Sequence, residues 1–397
     1  MATPLRGADL DRRTPVRARR VARALLASTL ALTVVGAVGT VAGAHTLSTP
    51  DTTVGIDGLG GEAQAFREVL ASRVTPERAA ELEEQAATLA ATLAGTDRVS
   101  GKDRYETAAG VSYGMFDSGV PVVYIASGAG FADALSAAPA AAVQGGPLLL
   151  VQPNGIPAVV AAELQRLAPQ RIVVVGGTGA VSNAVYSQLA AYAPSIRRDS
   201  GADRYATSRL VSQRAFGGGV AVEAAYVATG TDFPDALSAG AVAGGAGVPV
   251  ILVNGKAGSV DAATKQLLQT LGVYAVGIAG GNGAVSAGIE ADLADEPNID
   301  GFVARYAGKN RYETSVALNQ DAYLWANGAF LATGAGYADA LAGAAAAGSV
   351  SVPLWVVPSS CVPGAVLTKG SELGVGTYIL LGGRGALGDG VAALSRC

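Results

Sequence analysis

The stretch Arg98-Val99-Ser100-Gly101-Lys102-Asp103-Arg104-Tyr105-Glu106-Thr107 returns as Arg198-Asp199-Ser200-Gly201-Ala202-Asp203-Arg204-Tyr205-Ala206-Thr207. It returns once more as Arg305-Tyr306-Ala307-Gly308-Lys309-Asn310-Arg311-Tyr312-Glu313-Thr314. Downstream of each copy lies a second block. Ser127-Gly128-Ala129-Gly130-Phe131-Ala132-Asp133-Ala134-Leu135 is matched by Thr229-Gly230-Thr231-Asp232-Phe233-Pro234-Asp235-Ala236-Leu237 and by Thr333-Gly334-Ala335-Gly336-Tyr337-Ala338-Asp339-Ala340-Leu341. A third block closes each copy: Val173-Val174-Val175-Gly176-Gly177, Gly277-Ile278-Ala279-Gly280-Gly281, and Ile379-Leu380-Leu381-Gly382-Gly383. Three blocks in one order, three times over, at intervals of 100 to 107 residues, define three copies of one unit. That period is too long for a solenoid repeat and suits a small domain. The copies divide the chain at about 96–195, 196–302 and 303–397.

Patterns alternate within a copy. Asp103 followed by Glu106 reads as a capping box opening a helix to about Tyr113, and Asn310 with Glu313 repeats it; the second copy keeps Asp203 but has Ala206. Val122 to Ala126, Pro147 to Val151 and Arg171 to Val175 are short apolar runs that read as buried strands. Helices are expected around Asp133 to Val143, Pro157 to Leu167 and Val181 to Tyr192. Apolar strands alternating with helices predict parallel sheets covered on both faces, an α/β fold.

Composition narrows the chemistry. Half of the 397 residues are hydrophobic, 15% are charged and 54 are glycine, enough apolar material for several cores. A single histidine, His45, cannot build a multi-histidine zinc site, and a serine triad would have to use it. No motif for a cofactor or a metal is present.

Residues 1–44 read as an export signal. Seven arginines precede an uncharged run from Ala24 to Ala44 that ends in Ala42-Gly43-Ala44, a small-x-small cleavage pattern. An uncleaved membrane anchor is the alternative, because the run approaches the length of a span. The leader carries seven of the 28 basic and two of the 32 acidic side chains, so its removal leaves a net charge of −9. That balance disfavours nucleic acid as a partner. Residues 45–60 read as a linker, and 62–94, rich in Glu, Ala and Leu, as a helical spacer. In an exported chain Cys361 and Cys397, 36 residues apart, can pair; such a loop closure is worth roughly 3–4 kcal/mol.

Taken together, the pattern R-x-x-G-x-[DN]-R-Y-x-T, a strand, [ST]-G-x-x-[FY]-x-D-A-L and a strand-Gly-Gly turn resembles the type 2 cell-wall-binding repeat family of exported Gram-positive proteins. The resemblance implies three Toprim-like or Rossmann-like modules packed as a pseudo-threefold assembly. It also implies non-covalent attachment to a secondary cell-wall polymer, often an anionic one of the teichoic-acid type. Nothing outside the repeats is long enough for a catalytic domain of the usual size, so the expected role is a non-catalytic wall anchor. The alternatives are a wall hydrolase acting at the clefts between modules, or a modulator of one.

Candidate site residues follow from the blocks. Arg104, Arg204 and Arg311 each sit one residue after a helix cap, with Arg98, Arg198 and Arg305 six residues earlier across a turn. Guanidinium groups beside helix N–H groups suit phosphate or carboxylate. The competing reading is an internal bridge from each arginine to the Asp of its own copy's D-A-L helix. Ser127, Thr229 and Thr333 could hydrogen-bond a ligand or cap the loop, and Asp133, Asp235 and Asp339 lie in a helix's first turn, where a carboxylate favours the dipole. The Gly-Gly pairs lack the order of a dinucleotide or Walker motif and read as tight strand-to-helix turns.

Overall fold

A computed structural model describes residues 95–397 except 220, 300, 301, 321 and 324. The leader and the spacer expected before residue 95 lie outside the described residues.

Each repeat folds as alternating strands and helices. In the first, α1 (Arg104–Met115) leads to β2 (Val123–Ser127), α2 (Ala132–Val143), β3 (Leu148–Val151), α3 (Ala158–Leu167), β4 (Arg171–Val175) and α4 (Asn183–Leu189) with a short 3-10 turn after it. The second repeats this as α5 (Arg204–Phe216), β6 (Ala224–Thr229), α6 (Pro234–Ala246), β7 (Val250–Val253), α7 (Ala262–Leu271), β8 (Ala275–Ala279) and α8 (Ala287–Ala294). The third runs α9 (Arg311–Gln320), β10 (Gly328–Thr333), α10 (Ala338–Ser349), β11 (Leu354–Val357), α11 (Gly364–Leu373), β12 (Thr377–Leu381) and α12 (Asp389–Ala392). The expected capping boxes form: Asp103 accepts from the amides of Tyr105 and Glu106, and Asn310 from those of Tyr312 and Glu313. Their glutamates reach back one residue beyond the cap, to Lys102 N and Lys309 N.

Three further strands precede the helices that carry the D-R-Y motif: β1 (Gly95–Val99), β5 (Ser195–Asp199) and β9 (Phe302–Tyr306). They hold the first arginine of each repeat, and none joins the sheet of the repeat it opens. Strand β5 pairs with β4 (Arg171 opposite Ser195), and β9 with β8. Strand β1 pairs with β12, Gly95 opposite Thr377 and Val99 opposite Leu381. The three four-stranded parallel sheets are therefore ordered β3-β2-β4-β5, β7-β6-β8-β9 and β11-β10-β12-β1. Sheet and sequence repeat are out of phase by one strand, and the first strand closes the assembly on the last lobe.

Strand alternation divides each sheet between two cores. In the first lobe Val123, Ile125, Leu149 and Val174 face outward to Val160 and Leu164 of α3 and Val185 of α4. Tyr124, Ala126, Leu150 and Val173 face inward to a core shared by all three lobes. At its centre α2, α6 and α10 pack on one another. Their approach is close: a Cβ on Gly244 would lie 2.8 Å from the Cβ of Ala142 and 3.2 Å from the Cα of Gly348. This is why these helices are nearly all Ala and Gly; buried against a sheet and two sister helices, they have room for little else. The first helix of each following repeat packs on the preceding central helix, α5 on α2, α9 on α6 and α1 on α10. The Ser136 hydroxyl donates to that of Ser208 at 2.7 Å across the first of these contacts. The result is a pseudo-threefold assembly closed through β1.

Cys361 and Cys397 are joined, with Cα atoms 5.2 Å apart. Beside them Val362 N donates to Ser395 O at 2.8 Å, and Cys397 N to Val362 O at 3.0 Å. Among the described residues no helix is long and apolar enough to cross a membrane.

Candidate functional site

The inner strands β2, β6 and β10 end in the Ser-Gly or Thr-Gly loops, at the C-terminal sheet edge where parallel α/β folds place ligands. Ser127, Thr229 and Thr333 are buried, and each hydroxyl accepts from the amide two residues on, Ala129, Thr231 or Ala335, at 3.2–3.3 Å. These hydroxyls shape the loop. The bend delivers the aromatic residue that follows, and Phe131, Phe233 and Tyr337 meet in a triangle with ring centroids 5.8, 5.6 and 5.8 Å apart. The triangle caps the N-terminal ends of the three central helices and marks one end of the pseudo-threefold axis.

The D-R-Y arginines surround it. Each guanidinium donates through Nη1 to the carbonyl of its own repeat's loop glycine: Arg104 to Gly128 at 2.5 Å, Arg204 to Gly230 and Arg311 to Gly334 at 2.6 Å. Arg104 and Arg311 also lean on the preceding repeat. Arg104 lies over the Tyr337 ring, 5.4 Å from its centroid, and donates to its hydroxyl at 3.1 Å. Arg311 lies over Phe233 at 5.7 Å and pairs with Asp232 at 3.7 Å. Such guanidinium–ring contacts hold the charge in place while leaving its edge open.

The aspartates complete the junctions, and they correct one expectation. The cation that acts on Asp133 is Arg204, on Asp235 it is Arg311, and on Asp339 it is Arg104. The charge interaction expected within each copy runs instead between successive copies, because the first helix of a repeat packs on the central helix of the repeat before it. The Thr207 and Thr107 hydroxyls also favour the charged forms of Asp133 and Asp339. Burial nonetheless dominates and raises all three carboxyl pKa values, Asp235 to about 6 with the neighbouring Asp232 adding to the effect.

Each carboxylate also explains a glycine. Gly176, Gly280 and Gly382 adopt φ of +104°, +112° and +104°. A Cβ at Gly176 or Gly280 would stand 2.5 Å from the Oδ2 of Asp133 or Asp235. The Gly-Gly turn is thus both left-handed and shaved to admit the aspartate of its own lobe.

The outer arginines do different work. Arg98 donates to the carbonyls of Gly382 and Leu387, both at 2.7 Å; Arg198 to that of Gly176 at 2.8 Å; Arg305 to those of Gly280 and Val285 at 2.8 Å. Each clamps the Gly-Gly turn of the lobe whose sheet its strand joins. Arg305 is further held by Glu290 at 2.9 Å, and Arg198 lies over the Tyr186 ring at 5.0 Å.

The structure therefore brings Arg104, Arg204, Arg311, Asp133, Asp235 and Asp339 to the three inter-lobe junctions, with Ser127, Thr229 and Thr333 beneath them, and sets Arg98, Arg198 and Arg305 apart as loop clamps. Sequence reading missed the aromatic triangle as a site feature; its signal was the [FY] position recurring in every copy. Chemically, each junction offers a fixed guanidinium donor and a carboxyl whose pKa burial raises, and two of the three set the guanidinium over an aromatic ring. Such a group can take an anion or the hydroxyls of a sugar.

A closed ring of three α/β lobes, with one repeated polar junction between each pair, defines a tandem-repeat binding fold. Residues 98–186, 198–290 and 305–392 match the cell wall binding domain 2 (CWB2) family, and the chain belongs to that family. Membership identifies it as an exported, cell-wall-associated protein. It is 29% identical over 287 residues to the N-acetylmuramoyl-L-alanine amidase LytC of Bacillus subtilis (strain 168), covering 72% of this chain and 53% of that protein. It is 27% identical over 291 residues to the amidase enhancer of the same organism, covering 73% and 38%. The chain thus spans about half or less of the curated relatives it matches. Among solved structures it resembles Cwp6 from Clostridium difficile, with a TM-score of 0.67, 26% identity and coverage of 73% of this chain and 46% of that one. Cwp8 from the same organism shares the fold, with a TM-score of 0.68 at 24% identity over 81% and 55%.

Proposed function

We propose that this protein is a non-catalytic wall anchor whose three inter-lobe junctions hold the phosphate or carboxylate groups of a secondary cell-wall polymer. The observation that carries the reading is the threefold repetition of one arrangement about one end of the axis: Arg104 beside Tyr337 and Asp339, Arg311 beside Phe233 and Asp235, Arg204 beside Asp133. A repetitive polymer presents the same group many times, and three weak sites engaged together bind it far more tightly than one. The excess of acidic side chains over the whole chain is met locally, by guanidiniums fixed at the junctions. The leader of residues 1–44 would deliver the protein across the membrane, where the Cys361–Cys397 bond persists.

The test is sedimentation of the purified protein with isolated Gram-positive walls, before and after acid extraction of the secondary polymers. Retention that disappears on extraction supports the anchor; retention that survives extraction assigns binding to peptidoglycan and overturns the polymer. The match to a protein named amidase enhancer favours a second reading, modulation of a wall hydrolase. That reading expects a hydrolase to be captured from wall extracts freed of polymer.

A further inference from the structure

The junction of the first and second lobes carries a polar cluster that the other two do not repeat. Arg197 on β5 donates through Nε and Nη2 to the two carboxylate oxygens of Asp199, each at 3.1 Å. Arg214, near the end of α5, donates to the same carboxylate. Asp199 is wholly buried, whereas the side chains of Arg197 and Arg214 are 30% and 42% exposed. Arg171 on β4 shares this face, since Val173 two residues on stands opposite Arg197 in the parallel register. It donates to Gln144 Oε1 at 2.9 Å, and the Tyr124 hydroxyl donates to the same oxygen at 3.1 Å. The Nε of Arg171 is buried and has no hydrogen-bond partner among the described residues.

Two guanidiniums thus share one carboxylate while a third, on the same face, is held by Gln144, and a surplus of positive charge stands at the edge of the shared core. The fold does not require it. At the places of Arg171, Arg197 and Asp199 the second lobe has Ala275, Ala304 and Tyr306, and the third has Thr377, Asp97 and Val99. Gln144 corresponds to Ala246 and Val350. In the second lobe the same wedge is filled by the Tyr226 and Tyr306 rings, with centroids 6.0 Å apart. An apolar filling of this kind usually stabilises at least as well as a buried ion network. An unmatched guanidinium N–H beside a half-open pair of further guanidiniums is an arrangement completed by an oxyanion, which accepts from several such donors at once.

We propose that Arg171, Arg197 and Arg214 form a second oxyanion site, separate from the axial junctions, that takes a phosphate-type group. Asp199 and Gln144 are its positioning residues: Asp199 aims Arg197 and Arg214, and Gln144 fixes Arg171. That the group belongs to a wall polymer rests on the anchor reading; the site itself does not.

The probe is inorganic phosphate, titrated into the 15N-labelled full chain at constant ionic strength against chloride, with the Arg197 and Arg214 Nε–Hε resonances as the readout. The expected result is a saturable shift with a midpoint at least tenfold below that of chloride. It should vanish in Arg171→Gln, weaken severalfold in Arg171→Lys, which keeps the charge, and persist in Arg104→Gln. A shift that does not saturate, or that both Arg171 variants leave unchanged, would make the cluster an internal ion network and overturn the proposal. Wall sedimentation of Arg171→Gln separates the two sources of phosphate. Retention weakened severalfold assigns the site to the polymer; unchanged retention with phosphate binding lost keeps the site and overturns that assignment.

Discussion

The guanidinium of Arg104 donates to the Tyr337 hydroxyl at 3.1 Å, joining the first repeat to the third across 233 residues of sequence. That hydroxyl also donates to Gly128 O at 3.4 Å, the carbonyl that Arg104 itself binds. The first and second repeats carry Phe131 and Phe233 at this place, so one junction in three has the additional link. It coincides with the junction that β1 closes by pairing with β12. The link therefore falls at the junction where the first and last sequence repeats meet.

Tyr337→Phe gives the third repeat the residue the other two have. The lost link is expected to cost about 1 kcal/mol, a fall in melting temperature of about 2 °C, read by calorimetry. Stability unchanged within error would show that the link contributes nothing to closure.

Gly280 combines φ of +112° with the Asp235 carboxylate close beside it. Gly280→Ala is expected to destabilise by about 2 kcal/mol or more. Gly283→Ala, where an added Cβ meets nothing within 4 Å, is the control and should stay within about 0.5 kcal/mol of the parent. Urea unfolding of both variants measures the difference.

Burial raises the Asp235 pKa from an ordinary 3.8 to about 6, and Asp133 and Asp339 move in the same direction. Between those values the folded protein keeps a proton that the unfolded chain has released. Stability from this group is full below about pH 4 and lost as the pH rises through 6. Asp235→Asn should flatten the melting temperature over that window relative to the parent. An equally steep profile in the variant would assign the pH dependence elsewhere.

The Cys361–Cys397 bond closes a loop of 36 residues and holds the tail against Val362. Reduction is expected to cost roughly 3–4 kcal/mol in the chain-entropy account. It should also raise hydrogen exchange at Val362 and Cys397 before it does so in β12. Identical exchange in the two redox states would remove the bond from the account of the third lobe.

Much of this was legible in the residues. The strand predicted at Arg171 to Val175 is β4 itself, and the helix placed at Asp133 to Val143 is α2 to within one residue. Continuous apolar runs and an Ala-rich helix leave little ambiguity, because each element is buried on all sides. The helix expected over Val181 to Tyr192 is shorter, Asn183–Leu189 with a 3-10 turn after it. The strands β1, β5 and β9 were not legible. Gly95–Val99 and Ser195–Asp199 are short edge segments carrying Asp and Arg, without an apolar run to reveal them. Nor could sequence tell which aspartate each arginine meets. Every copy has the same register, so a bridge within a copy and one to the next copy look alike until the lobes are packed.

The central claim is that the axial arginines hold the wall. It is tested most directly by sedimenting Arg104→Gln, Arg204→Gln and Arg311→Gln, singly and together, with native walls. Each single variant should weaken retention severalfold, and the triple variant should lose about a hundredfold or more as multivalent engagement collapses, while its melting curve stays cooperative. A folded triple variant that sediments like the parent would contradict the account.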